Sequence, residues 1–578
     1  MSDRCDGGRV KVFWFLFSKK NTFLPHPPPL RYARTMRKIA AALTLTLLAT
    51  TAHAARPGAF LVSEFAAHQG NMALAAAAMQ NALQGDPSSS ALREDAFILD
   101  LLAGVPDAVT LAQTLPENPL AQLLLAAQAA HDGHWESAEL AFAELPHQKL
   151  TDAIRPVMLA WAQEAQGNTD RAMDTLQPSL TSGELGGISL LHAALIADAA
   201  HRDGLAQRLY TDLSHAQAHP SLQFGRILAS WQARAGNMEA ARATINGIVD
   251  AAPELAIARP GLLAALAHAQ APTPAHGMAM VLVELAAAAQ NHGAQSAQNT
   301  QEVGQLLVQL ALVLDPGLTD ADLLAAEIAA EHKQPMLAIA DLEKIAPTDP
   351  LAPVVQLRLA NLYARNNRAP EAVALLHRLA ASYPDRPDPL IALGDIFSDA
   401  KHFTQAIDCY DQAIAMIRHP KPLDWVIFYA RGAAEERAHL WPRAEADMNR
   451  ALELQPDQPF VLNFLGFSLA DRNKDLPLAH DMIARALTAR PNDGAIIDSM
   501  GWVLLRQGDT SGALRLLEKA AEMEPEDPSI TGHLGDAYWS AGRRLEAEDQ
   551  WRRALVLNPD PDDQARIEAR LKSATTSP

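Results

Sequence analysis

Glycines recur at Gly466, Gly501 and Gly535, spaced by 35 and 34 residues. Three more tracks keep the same beat: Ala479, Ala513 and Ala547; Ala486, Ala520 and Ala554; Pro491, Pro525 and Pro559. A fixed period of this length marks a chain that grows by stacking one supersecondary unit, because a single unit cannot bury its own apolar face. The chain has 578 residues, too long for one ordinary core, so growth by repetition resolves its size. Ala and Leu dominate and aromatic residues are only 5%, a mixture that favours helices over strands.

Each track has a physical reason. In Leu534-Gly535-x-x-Tyr538 the glycine falls where the first helix of a pair crosses the second, and a Cβ there would hold the helices apart. Ala547 and Ala554 lie seven residues apart on the second helix and face the first, with Trp551 between them filling space against the next repeat. Pro559 follows the second helix and ends it. The register extends upstream through Ala338, Ala372 and Ala406, through Leu393-Gly394-x-x-Phe397 with Tyr410 and Ala413, and through Ala444, Met448, Ala451 and Pro456. In the N-terminal half the cue becomes a glycine five residues before a packing alanine: Gly70/Ala75, Gly133/Ala138, Gly167/Ala172 and Gly236/Ala241. Ala138, Ala172 and Ala206 are again 34 apart. The stretch 251–320 is the least regular, with Pro253, Pro260, Pro272 and Pro274 and Asn/Gln-rich text from Gln290 to Gln301. It reads as divergent helix and loop, the candidate hinge between two solenoid halves, with Val303 to Val313 forming a second helix.

Leu-Gly, Tyr, Ala, aromatic, Ala and Pro in this order resemble the tetratricopeptide consensus. The resemblance implies an all-α, right-handed superhelical solenoid of antiparallel helix pairs, about 14 of them, in which first helices line a concave groove. Counting from the consensus, the groove positions of the C-terminal repeats are Tyr429, Asn463, Phe467, Asp498, Trp502, Asp536 and Trp539. Four of the seven are aromatic. Such a ladder suits an extended peptide or a partner helix, unless Phe467 and Trp502 pack between adjacent first helices as core. A clamp for a carboxylate terminus, known from chaperone-binding members, needs several groove cations, and only Arg437 and Arg506 lie nearby. The run Leu462-Asn463-Phe464-Leu465-Gly466-Phe467, with Asp498-Ser499-Met500-Gly501-Trp502 and His533-Leu534-Gly535-Asp536, is similar to exported bacterial tetratricopeptide adaptors of carboxy-terminal processing proteases. That similarity covers residues 425–560. It departs from the lipoprotein members in lacking a lipid-bearing cysteine.

Residues 36–54, MRKIAAALTLTLLATTAHA, carry Arg37 and Lys38, then an apolar stretch from Ile39 to Ala49, then the small-x-small run Ala52-His53-Ala54. This is the pattern of an export signal, with cleavage expected after Ala54. Residues 1–35 fit poorly before it and read as a mis-assigned extension ahead of a true start at Met36, or as an extended leader. Cleavage would leave Cys409 as the single cysteine, giving no internal disulfide. It would also make the net charge more negative, from −19 to −26, since nine of 48 Lys/Arg but only two of 67 Asp/Glu would be lost. A body this acidic repels nucleic-acid phosphates.

No zinc helix, nucleophile elbow, phosphate loop or dinucleotide turn is present. His131-Asp132-Gly133-His134 occupies an inter-helix turn and reads as surface polarity, and Glu435-Glu436 reads as an exposed helix face. No cofactor or metal is expected. The expected segments are 1–35 extension, 36–54 signal, 55–250 degenerate repeats, 251–320 irregular segment, 321–565 repeats and 566–578 tail. The expected function is that of a periplasmic, non-enzymatic protein-binding scaffold, without nucleic-acid partners or a transmembrane segment in the mature chain. It would serve as adaptor to a processing protease. The alternatives are a scaffold for envelope assembly or polysaccharide export and a cytoplasmic regulatory scaffold.

Overall fold

The computed structural model describes residues 56–180, 186–216, 221–292 and 297–576. The extension and export signal lie outside the described residues. Among those described, regular structure consists of 30 α-helices and a few short 3-10 turns, with no strand. The chain is an all-α helical-repeat solenoid.

The periodic small residues sit where the packing argument requires. A Cβ on Gly501 would lie 2.7 Å from Leu517 Cγ; on Gly535, 2.5 Å from Trp551; on Gly466, 2.8 Å from Ile483; on Gly394, 2.5 Å from Tyr410. Each clash is with the second helix of the same pair. Ala479, Ala513, Ala547, Ala486, Ala520 and Ala554 are all fully buried, as are Ala138, Ala172, Ala206, Ala338, Ala372 and Ala406. The glycines five residues before a packing alanine have a different task. Gly70, Gly133, Gly167 and Gly236 take φ between +73° and +83°, the left-handed turn that closes the first helix. Gly508 and Gly542 do the same before Ala513 and Ala547. At the equivalent turn His201, Lys333, Asn367, Lys401 and His439 adopt φ of 54–61°.

By compactness the chain divides into two interleaved units, 1–218 with 271–341 and 219–270 with 342–578. Residues 271–341, which include most of the segment expected to be irregular helix and loop, associate with the N-terminal repeats. In the first unit the helices are α1 (Pro57–His68), α2 (Met72–Gly85), α3 (Ser90–Leu102), α4 (Asp107–Ala112), α5 (Pro119–His131), α6 (Trp135–Glu144), α7 (Lys149–Ala165), α8 (Thr169–Leu176), α9 (Gly186–Ala199) and α10 (Asp203–Ala216). Later in the chain come α14 (Pro274–His292), α15 (Ala297–Leu314), α16 (Thr319–Glu331) and α17 (Pro335–Glu343), whose last turn reaches the division. Helices α14 and α15 are long and pair with each other. Helix α14 packs on α7 and α9, and α15 packs on α3 and α5. All four partners are first helices of their pairs.

The second unit holds α11 (Leu222–Arg234), α12 (Met238–Ala251) and α13 (Arg259–Ala265). It continues with α18 (Ala352–Arg365), α19 (Ala369–Ser382), α20 (Asp388–Asp399), α21 (Phe403–Met416), α22 (Trp425–Arg437) and α23 (Trp441–Leu454). Then follow α24 (Pro459–Asp471), α25 (Leu476–Ala489), α26 (Gly494–Gln507), α27 (Thr510–Met523), α28 (Pro528–Ser540), α29 (Arg544–Val556) and α30 (Pro561–Thr576). Asp493, Asp509 and Asp527 cap α26, α27 and α28 by accepting backbone N–H bonds at 3.3, 2.9 and 3.0 Å. Pro491, Pro525 and Pro559 fall just beyond the ends of α25, α27 and α29. Successive first helices touch, as in α24 with α26 and α26 with α28, whereas successive second helices make no comparable contact. First helices therefore lie on the inner side of the curve.

Candidate partner-binding face

The seven sequence-selected residues fall on four consecutive first helices: Tyr429 on α22, Asn463 and Phe467 on α24, Asp498 and Trp502 on α26, and Asp536 and Trp539 on α28. Their surroundings differ. Trp502 is 3% exposed, and Asp498 and Asp536 are 5% exposed. Tyr429, Asn463, Phe467 and Trp539 are half-buried.

The structure brings Phe467, Trp502 and Asp498 together around a residue the sequence reading passed over, His533. Its ring stacks on Trp502 with centroids 4.4 Å apart and lies 5.7 Å from Phe467. Its Nδ1 is 2.9 and 3.1 Å from the two Asp498 oxygens. Burial opposes a charged imidazole here, but the Asp498 carboxylate outweighs it and the His533 pKa is raised above its ordinary 6.5. His533 precedes Gly535 by two residues, where the neighbouring repeats carry Phe464 and Ser499, so no repeated residue type marked it in the sequence.

A second cluster lies one repeat back. Tyr429 meets Trp425 at 5.9 Å and Phe464 at 5.8 Å, both edge-on. Its apolar surroundings push the phenol up to about 12. Trp539 does not join either cluster. It turns onto Trp551 of its own pair at 5.5 Å, with the Arg544 guanidinium 5.0 Å from its ring. The expected single ladder is therefore two ring clusters and one separate tryptophan. Asn463 Oδ1, Trp502 Nε1 and Arg506 Nε are shielded and have no hydrogen-bond partner within the chain.

The charged positions are largely committed internally. Asp536 accepts from Trp551 Nε1 at 3.0 Å and pairs with Arg566 of α30 at 2.6 Å. Of the two nearby cations, Arg437 pairs with Asp560, which also binds Lys401 Nζ at 2.7 Å. Burial would raise the Asp560 pKa, but these two cations bring it down to about 2. Arg506 donates to the Asp471 carbonyl at 3.2 Å. No free pair of cations is left on α22 and α26 to clamp a carboxylate. Glu435, read from sequence as exposed, is fully buried. Burial pushes it up to about 7, and the ion pair with Arg443 at 2.7 Å opposes this. Glu436 pairs with Arg472 at 2.9 Å. Among the described residues no group of three or more His, Cys, Asp or Glu could hold a metal. The His131–His134 segment is an ordinary turn with Gly133 at φ +76°.

Helix pairs of about 34 residues with crossing glycines and packing alanines define tetratricopeptide repeats, whose proteins generally act as protein-binding scaffolds. Tetratricopeptide-repeat models match residues 391–459 and 499–564, and a second such model matches 157–177 and 355–386. Over these stretches the chain carries tetratricopeptide repeats. It is 31% identical over 209 residues to the TPR repeat-containing protein PA4667 of Pseudomonas aeruginosa, covering 36% of this chain and 35% of that one. It is 25% identical over 231 residues to the cellulose synthase operon protein C of Pseudomonas fluorescens, covering 38% of this chain and 18% of that one. The chain thus spans well under half the length of either relative. Solved structures similar in fold include yeast Tom70 (14% identity, 79% of this chain and 96% of that one, TM-score 0.31). Cut9 with Hcn1 is another (14%, 92% and 98%, TM-score 0.37). Among the described residues no helix is long and apolar enough to cross a membrane.

Proposed function

We propose that this chain is an exported protein-binding scaffold that captures a periplasmic carboxy-terminal processing protease and presents substrates to it. The observation that carries the binding role is the row of half-buried rings on consecutive inner helices, Tyr429 and Trp425 on α22 and Phe464 and Phe467 on α24. Rings that keep part of their surface in contact with solvent gain from being covered, each contributing about 2 kcal/mol or more when it acts as an anchor. The protease assignment is supported by the motif run across 425–560, and the exported location by the basic, apolar and small-residue pattern of 36–54. Affinity capture from cells followed by mass spectrometry tests it. Recovery of a processing protease is expected, together with fractionation to the periplasm and a mature N-terminus at Ala55. A cytoplasmic protein that retains residues 1–35 would contradict the export claim.

A second reading, a scaffold for polysaccharide export, is favoured by the similarity to the cellulose synthase operon protein C. The same capture separates the two. An export complex in place of a protease would replace the first reading with the second.

A further inference from the structure

In the first unit the inner side is not lined for an outside ligand, because the chain's own α14 and α15 already cover the first helices α3, α5, α7 and α9. The fit of α14 is specific. Gly277 lies against the Trp161 indole of α7 so closely that a Cβ would fall 2.2 Å from the ring. Seven residues on, and so on the same face of the helix, Glu284 meets His192 of α9 at 3.4 Å. Trp161 Nε1, which can only donate, bonds His192 Nδ1 at 3.0 Å, which turns the other ring nitrogen, Nε2, toward the Glu284 carboxylate without closing a hydrogen bond. Trp161 and His192 are fully buried. Together they form a built receptor: an indole wall that admits only a small residue, and a ring nitrogen for an acid two turns along.

The seat is imperfect in a telling way. Both Glu284 oxygens and His192 Nε2 are shielded from solvent without a well-formed hydrogen bond, and Gln305 Nε2 on α15 has none. A cavity of about 20 Å³, room for one water, lies where Gln305 and Val308 of α15 meet Met72 and Leu102. Shielded polar atoms without good partners cost stability, and they do so here on the hairpin's contact face. On the N-terminal side α14 is reached through the irregular stretch 269–273, which includes Pro272.

We propose that the inner face of the first unit is a helix-binding site held in this chain by α14 as an internal stand-in ligand. A partner helix that offers a small residue and, seven positions later, a carboxylate takes its place when the α14–α15 hairpin opens. This proposal does not rest on the protease reading, which concerns the second unit.

Amide hydrogen exchange on the full chain, with a fluorescent synthetic peptide of residues 274–292 as probe, tests it. The hairpin amides should exchange at least about tenfold faster than those of α5 and α7, through a sub-global opening. Gly277→Leu in the chain, which drives a side chain into Trp161, should speed that exchange further and let the chain take up the peptide, and a peptide carrying the same change should not compete. Equal exchange of the hairpin and α5–α7 in the wild-type chain would overturn the proposal, since α14 would then be permanent core. Fast opening with no peptide uptake would overturn it equally, because the exposed face would not be a receptor.

Discussion

The two units use the same repeat to opposite ends. In the first, the inner face is covered by α14 and α15, and its central polar group, His192, faces a carboxylate of the same chain. In the second, the inner helices α22 and α24 present half-buried rings, and internal bonds tie down mainly the charges: Asp498 to His533, Asp536 to Arg566, Asp560 to Lys401. The difference shows that position within a solenoid repeat does not by itself make a residue a ligand contact. What decides is whether another part of the chain already covers it.

Trp502 gives the sharpest test of that rule. At 3% exposure it belongs to the packing between α26 and its neighbours, so Trp502→Ala should lower stability by about 3–5 kcal/mol in urea denaturation. Intact stability with lost partner binding would return it to the groove. Gly501→Val should cost about 1–3 kcal/mol by driving a side chain into Leu517, measured the same way. An unchanged midpoint would break the register on which the second unit is described.

Smaller effects separate the buried charge networks. His533 has a raised pKa in the fold, so its contribution is complete below pH 6.5 and is lost as pH rises through the folded value. Melting of the wild-type chain should therefore show a decline above pH 6.5 that His533→Gln removes. Asp560, lowered to about 2, acts in the opposite sense: its contribution is complete above the ordinary value of 3.8 and fades as pH falls toward 2. Smallest of all, Lys333→Gly in the first unit and His439→Gly in the second should each stabilise by up to about 1 kcal/mol, because both residues hold φ near +60°. Destabilisation by either would mean that side-chain contacts at the turn outweigh backbone strain.

Much of the fold was legible because its constraints are local. A glycine that cannot bear a Cβ and an alanine that must face its neighbour helix recur at one spacing, and every such alanine named from sequence is fully buried. The place of α14 and α15 was not legible. Periodicity marks 303–313 as helix but cannot say that its partners lie on α3 and α5, some 200 residues away. The site was half legible for a related reason. Consensus counting placed the seven residues on first helices, yet burial of Trp502 depends on His533 of the next repeat, and that of Asp536 on Arg566 beyond it. Glu435 misled in the same manner, since its adjacent acid Glu436 suggested a solvated face while Arg443 drew it inward.

Whether the uncovered inner face of the second unit is its binding surface can be measured directly by placing a photo-crosslinking residue in the full chain in cells. The account predicts partner adducts from position 467, on the inner face of the second unit, and none from position 545, where Leu545 is 80% exposed on the second helix α29. Adducts from 545 with none from 467 would contradict it.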